Sequence, residues 1–133
     1  MKVIVKKVGN SPEIVDVDFR YRGECAALLD GDGITAEYVT VIDRELSMMV
    51  DEEGLIKGLP LNFFVEMNNP FYPVQAIVGT VVFCRFRWEN PWEKELWDFE
   101  LLDVTEGDLQ VVEQMLNRED QVALKARYLS IGE

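Results

Sequence analysis

Fifteen residues from Val74 to Trp88 constrain the fold most, because β-forming side chains fill the stretch and Gly79 alone interrupts it. Val82, Cys84, Phe86 and Trp88 fall on one side of an extended backbone, with Arg85 and Arg87 on the other. A strand this long predicts a central place in a sheet, and Gly79 marks a bulge or a close backbone approach. Shorter strands precede it. Val3 and Val5 alternate with Ile4 and Lys6, and Val15, Val17 and Phe19 alternate with Asp16 and Asp18. Gly9, Asn10 and Pro12 lie between these runs, as a loop joining antiparallel strands requires. Thr35 to Ile42 is β-branched and alternating, and Leu46 to Val50 pairs naturally with Leu55 to Lys57 across an Asp51–Gly54 turn.

Between Pro60 and Pro73 the apolar residues Phe63, Phe64, Phe71 and Tyr72 follow no period, which suggests a loop or broken strand pinned to the core by aromatics. Glu24 to Leu29, followed by Gly31, reads as a brief helix with a glycine stop. Asn90-Pro91-Trp92-Glu93 opens a helix of one or two turns before Trp97 to Leu101 alternates. Thr105-Glu106-Gly107-Asp108 is a capping box with Asp in the Glu position. It starts a C-terminal helix over 105–117, in which Leu109, Val112, Met115 and Leu116 share a face. In the tail, 118–133, Val122, Leu124, Ala126 and Tyr128 fit a strand, while Val122, Ala126 and Leu129 fit a helix. The fold expected is a single α+β domain over 1–133, a mostly antiparallel sheet with one or two packed helices.

A chain of 133 residues buries about 65–70% of its unfolded surface, and 48% hydrophobic content supplies a core. Lys6 and Lys7 break the first apolar run too early for a secretory signal, and the nine residues from Ala76 to Cys84 are too few to span a bilayer. Cys25 and Cys84 match no metal spacing and read as reduced, buried thiols of a cytoplasmic protein. The net charge of −12 is concentrated: residues 89–120 hold 11 acids against Lys94 and Arg118. Such a field argues against direct nucleic-acid binding and favours a protein partner with a basic surface, and the short apolar runs leave no membrane partner expected.

With no histidine, the commonest general base and metal ligand is missing. Gly31-Asp32-Gly33 is too short to cradle phosphate. Asp30-Gly31-Asp32-Gly33 fails as a calcium loop, since Ile34 and Val41 stand where further ligands belong. Asp51, Glu52 and Glu53 fit an exposed turn better than a cation site. Neither a catalytic residue, a cofactor site nor a metal site is therefore assigned. One local feature stands out: the three tryptophans, Trp88, Trp92 and Trp97, lie within ten residues among acids. Trp92, Glu93, Glu95, Trp97, Asp98, Glu100 and Asp103 form the candidate interaction surface, where aromatic rings and carboxylates suit Arg and Lys of a partner.

Three short stretches carry a family resemblance: Lys2-Val3-Ile4-Val5-Lys6-Lys7, the Gly58-Leu59-Pro60-x-Asn62 element after the acidic turn, and Ala76-Ile77-Val78-Gly79-Thr80. Together they resemble the domain of unknown function 3846, small proteins of phages and mobile elements, from Met1 to about Asn117. The resemblance implies a compact α+β domain in which these elements, and a cap at Thr105, are structural punctuation. It carries no activity. The function expected is a non-catalytic acidic interaction domain, an accessory protein of a phage or mobile element, with nucleic-acid mimicry toward a nuclease as its sharper form. The alternatives are a carboxylate-based metal-dependent hydrolase, and a small-ligand sensor with a pocket of Phe63, Phe64, Phe71 and Tyr72.

Overall fold

The computed structural model describes residues 1–17, 29, 36–39, 46–51, 53–67, 70–87 and 100–130. In chain order these form β1 (Lys2–Lys6), β2 (Glu13–Asp16), β3 (Ala36–Val39), β4 (Leu46–Asp51), β5 (Leu61–Glu66), β6 (Val74–Val78), β7 (Val81–Arg87) and β8 (Glu100–Leu102). Helices α1 (Glu106–Met115) and α2 (Arg118–Ser130) follow. The architecture is α+β with antiparallel pairing in both sheets. The larger sheet runs β2-β1-β7-β4-β3, and β5 and β6 make a separate pair.

Strand β7 is central, as its composition suggests. On one side it pairs with β4. On the other, β1 covers Val81–Phe83 and β8 covers Arg85–Arg87, so two strands share one edge in succession. The join is closed where Val104 N–H donates to the Lys2 carbonyl at 3.0 Å and Lys2 N–H donates to Asp103 Oδ1 at 2.8 Å. A buried cluster lies on each face of this sheet. Val3, Val5, Met49, Val82 and Cys84 gather on one face with Val17 and Leu29. Ile4, Met48, Val50, Val81 and Phe83 lie on the other, under Phe63, Val65 and Ile77 of the β5–β6 pair and Val112 of α1. Phe63 stacks on Phe83 with ring centroids 6.4 Å apart.

Three expectations need correction. First, the stretch from Val74 to Trp88 is not one strand: β6 and β7 belong to different sheets. Gly79, at φ +73°, makes the break, and its N–H donates to the Pro60 carbonyl at 2.8 Å. That left-handed backbone is open to glycine and turns the chain between the two layers.

Second, Leu55–Lys57 is not a strand against β4, which pairs with β3 and β7 instead. Asp51 decides this. Its Oδ1 accepts from Glu53 N–H at 2.9 Å and its Oδ2 receives Lys57 Nζ at 2.8 Å. A side chain that bonds the local backbone in this way favours a turn over a ladder. Overlapping turns, Lys57 N–H to the Glu53 carbonyl and Leu59 N–H to the Gly54 carbonyl, complete the compact loop.

Third, the region after Pro60 is a regular strand, β5, with Phe63, Phe64 and Val65 buried on both faces. A strand covered on both sides shows no alternation, so its period was hidden. Phe71 and Tyr72 are not pinned to the core but exposed.

The helical third follows its caps. Thr105 Oγ1 accepts from Asp108 N–H at 3.2 Å and the Asp108 carboxylate accepts from Thr105 N–H at 2.9 Å. Val112 is buried, with Leu109, Met115 and Leu116 packed beside it. Thr105→Ala is expected to cost about 0.5–2 kcal/mol in denaturant unfolding. The tail resolves as helix α2, begun by Asn117, whose side chain accepts from Glu119 N–H at 2.8 Å. No residue of α2 is buried. Gln121 fastens it: its amide accepts from Phe64 N–H at 2.8 Å and donates to the Phe64 carbonyl at 2.9 Å. The side chain takes the place of a neighbouring strand on β5. Gln121→Ala should cost about 1–2 kcal/mol and speed hydrogen exchange at the Phe64 amide.

Candidate functional site

Two regions of the surface are built by the short stretches singled out in the sequence. The first is a polar node. Asn62, the last residue of the Gly-Leu-Pro-x-Asn element, donates through Nδ2 to the Lys6 carbonyl at 2.9 Å and to the Gly79 carbonyl at 2.8 Å. Its Oδ1 accepts from Lys6 Nζ at 2.8 Å. Thus the opening strand, the β5 entry and the β6–β7 turn meet on one amide. The Lys6 ammonium also donates to the Lys7 carbonyl at 2.8 Å. Lys6 is 8% exposed, and burial pulls its pKa below the ordinary lysine value. Both its acceptors are neutral.

The second region is a groove along β6. Since Phe64 spends both backbone groups on Gln121, the register pair Phe64–Ala76 is a non-hydrogen-bonded one. The N–H and carbonyl of Ala76 therefore face away from β5. No described strand pairs with that edge. A cavity of about 320 Å³ runs there, lined by Val74, Ala76 and Val78 and walled by Leu55, Tyr72 and Tyr128. The wall residues are apolar and exposed, Leu55 to 72% and Tyr72 to 64%. The 53–58 turn is seated tightly: a Cβ on Gly54 would lie 2.7 Å from Val78 Cγ2.

A charged pair ties α1 to the central strand. Asp108 pairs with Arg85 of β7, and Nε–Oδ2 is 3.0 Å. Burial raises the Asp108 pKa, but the Arg85 and Thr105 hydrogen bonds and the guanidinium charge outweigh it, so the net shift is downward. This carboxylate is held as an anion and supplies no general acid. Among the described residues, no three Asp, Glu or Cys side chains gather as a metal site, and no helix is long and apolar enough to cross a membrane.

Of the candidate interaction surface, Trp92, Glu93, Glu95, Trp97 and Asp98 lie outside the described residues. Glu100 sits in β8 opposite Arg87, and Asp103 is exposed while tying β8 to β1. The helix expected at Asn90, the one at Glu24 and Cys25 also fall outside; Cys84 is buried. Phe63, Phe64, Phe71 and Tyr72 do not converge: Phe63 and Phe64 are buried in different layers, whereas Tyr72 walls the β6 groove. In the sequence Asn62 reads as punctuation, and Lys6 only as a break in an apolar run. The signal for both was a lysine ending a strand just after the apolar run Val3-Ile4-Val5, together with an asparagine one residue into β5.

A family model described as Domain of unknown function (DUF3846) matches residues 1–94. The match holds all three short stretches and stops before Thr105, short of the Asn117 limit expected from the sequence. No curated protein and no solved structure matches the chain. With its three characteristic stretches joined at Asn62 inside the matched span, the chain belongs to the DUF3846 family.

Proposed function

We propose that this chain is a non-catalytic interaction domain that holds an extended, basic segment of a partner protein along the outer edge of β6. The observation that carries this reading is the groove itself. A strand edge that no described strand pairs, with outward-facing Ala76 backbone groups, adjoins exposed Leu55, Tyr72 and Tyr128. Strand addition takes affinity from main-chain hydrogen bonds and specificity from side-chain pockets. Charge selects the partner's sign. The chain carries −12, Glu53 on the adjoining turn is exposed, and the turn's own Lys57 is engaged by Asp51. In the phage or mobile-element setting implied by the resemblance, this would be a cytoplasmic accessory role.

The test is selection from a display library of ten-residue peptides, with affinities measured by fluorescence anisotropy on the full chain. Basic peptides with alternating apolar residues should be selected over acidic ones. Ala76→Pro removes the outward N–H at an edge that tolerates proline, and should weaken them at least about tenfold. Tyr72→Ala should also weaken binding. Peptides that bind Ala76→Pro as well as the parent would remove this reading. If such binding also falls steeply with salt, charge mimicry by the acidic surface is supported instead.

A further inference from the structure

Among the described residues, Lys6 is a buried cation without an anion. In a chain with 25 carboxylates and 13 lysines and arginines, partners are plentiful, yet among the described residues its ammonium meets only the Lys7 carbonyl and Asn62 Oδ1. Burial is the cause of its lowered pKa, with no charge partner offsetting it. An ammonium has three hydrogens, so one lacks an acceptor among the described residues. Buried charges are ordinarily paired. Lys6 and Asn62 line an open cleft of about 800 Å³ between the β1–β2 loop, β5 and the α1–α2 junction. Arg118 lines the same cleft and forms no ion pair among the described residues. Ser11 adds a hydroxyl from the loop, and Glu113 is the cleft's one carboxylate.

We propose that this cleft binds the phosphate group of a small organic molecule, with Lys6 and Arg118 supplying the charge and Ser11 a further donor. Phosphate fits better than carboxylate because its oxygens can use ammonium, guanidinium and hydroxyl donors together. The volume exceeds what an inorganic anion fills, leaving room for the organic part. Glu113 disfavours a second anionic group on the ligand and accepts from a hydroxyl or amino group. The overall field of the protein repels anions, so the attraction has to be local. Asn62 orients the Lys6 ammonium and is a positioning residue here.

The experiment is an NMR titration of the full chain with inorganic phosphate, ribose 5-phosphate and acetate, at matched ionic strength against chloride. Saturable shifts at Lys6 Cε and Arg118 Nε are expected, with ribose 5-phosphate binding more tightly than inorganic phosphate. Arg118→Gln, an exposed change that leaves the fold intact, should weaken binding at least about tenfold. Lys6→Met should abolish it. Shifts reproduced by chloride, tighter binding of acetate than of phosphate, or affinity unchanged in Arg118→Gln would each overturn the proposal. None of these results bears on the β6 groove, which lies apart from this cleft.

Discussion

Asn62→Ala should be the most damaging single polar substitution in the described part of the molecule, lowering unfolding free energy by about 3–5 kcal/mol. The amide serves the Lys6 carbonyl, the Gly79 carbonyl and the Lys6 ammonium at once. Removing it takes a donor from two carbonyls and leaves the Lys6 ammonium with the Lys7 carbonyl alone among the described residues. An unsatisfied buried group costs about 1–3 kcal/mol, more when charged. Asn62→Asp separates the contributions. It offers Lys6 a charge partner but loses both donors, so it should recover part of the loss and raise the Lys6 pKa. Urea unfolding gives the first quantity and the Lys6 Cε shift against pH the second. If Asn62→Ala costs less than about 1 kcal/mol, or Asn62→Asp is no better, the node is not what joins the two sheets.

This node also shows how far the sequence could be read. Its three contributing stretches were visible as motifs, and β1, β2, β4 and β7, the Thr105 cap and the apolar face of α1 followed from period and capping chemistry. What stayed hidden has a common physical origin. β5 is buried on both faces, so Phe63-Phe64-Val65 carries no alternation to read. The break at Gly79 depends on which strand each half pairs with, a long-range matter that β-propensity leaves undecided. The loop after β4 resembles a strand in sequence because Leu55 and Ile56 look like core, whereas Asp51 holds them outward. The same limit applies to the site. Composition pointed to the acidic Trp-rich segment, while the β6 groove and the Lys6 cleft arise from residues far apart in sequence. The sequence leaves α2 open because its hold on the body is light: the Gln121 amide, a ring contact between Phe64 and Tyr128, and an exposed Arg127–Glu66 pair at 3.6 Å.

Acid should loosen the C-terminal third first, and Asp108 sets the direction. Its carboxylate joins two jobs: it closes the capping box with Thr105 and it receives Arg85 from the central strand. Its pKa is lowered in the folded state, so the unfolded chain takes up the proton more readily. The stabilisation is therefore full above the ordinary aspartate pKa of about 3.9 and is lost as pH falls through the folded value. Asp108→Ala should cost about 2–4 kcal/mol at neutral pH, since it removes a cap acceptor and a largely buried ionic partner together. Asp108→Asn keeps a cap acceptor but not the charge, so it should cost less at pH 7. Below the ordinary aspartate pKa the gap should narrow, because the parent loses its charge-dependent stability there and Asp108→Asn has none to lose. The measurement is unfolding free energy from pH 7 to pH 3 for the three proteins, with helix signal and Phe83 exchange followed separately. Parallel pH profiles for parent and Asp108→Asn would show that the Arg85 link contributes no charge-dependent stability. Convergence at low pH, with α1 lost before the sheet, would identify this carboxylate as the latch between helix and strand.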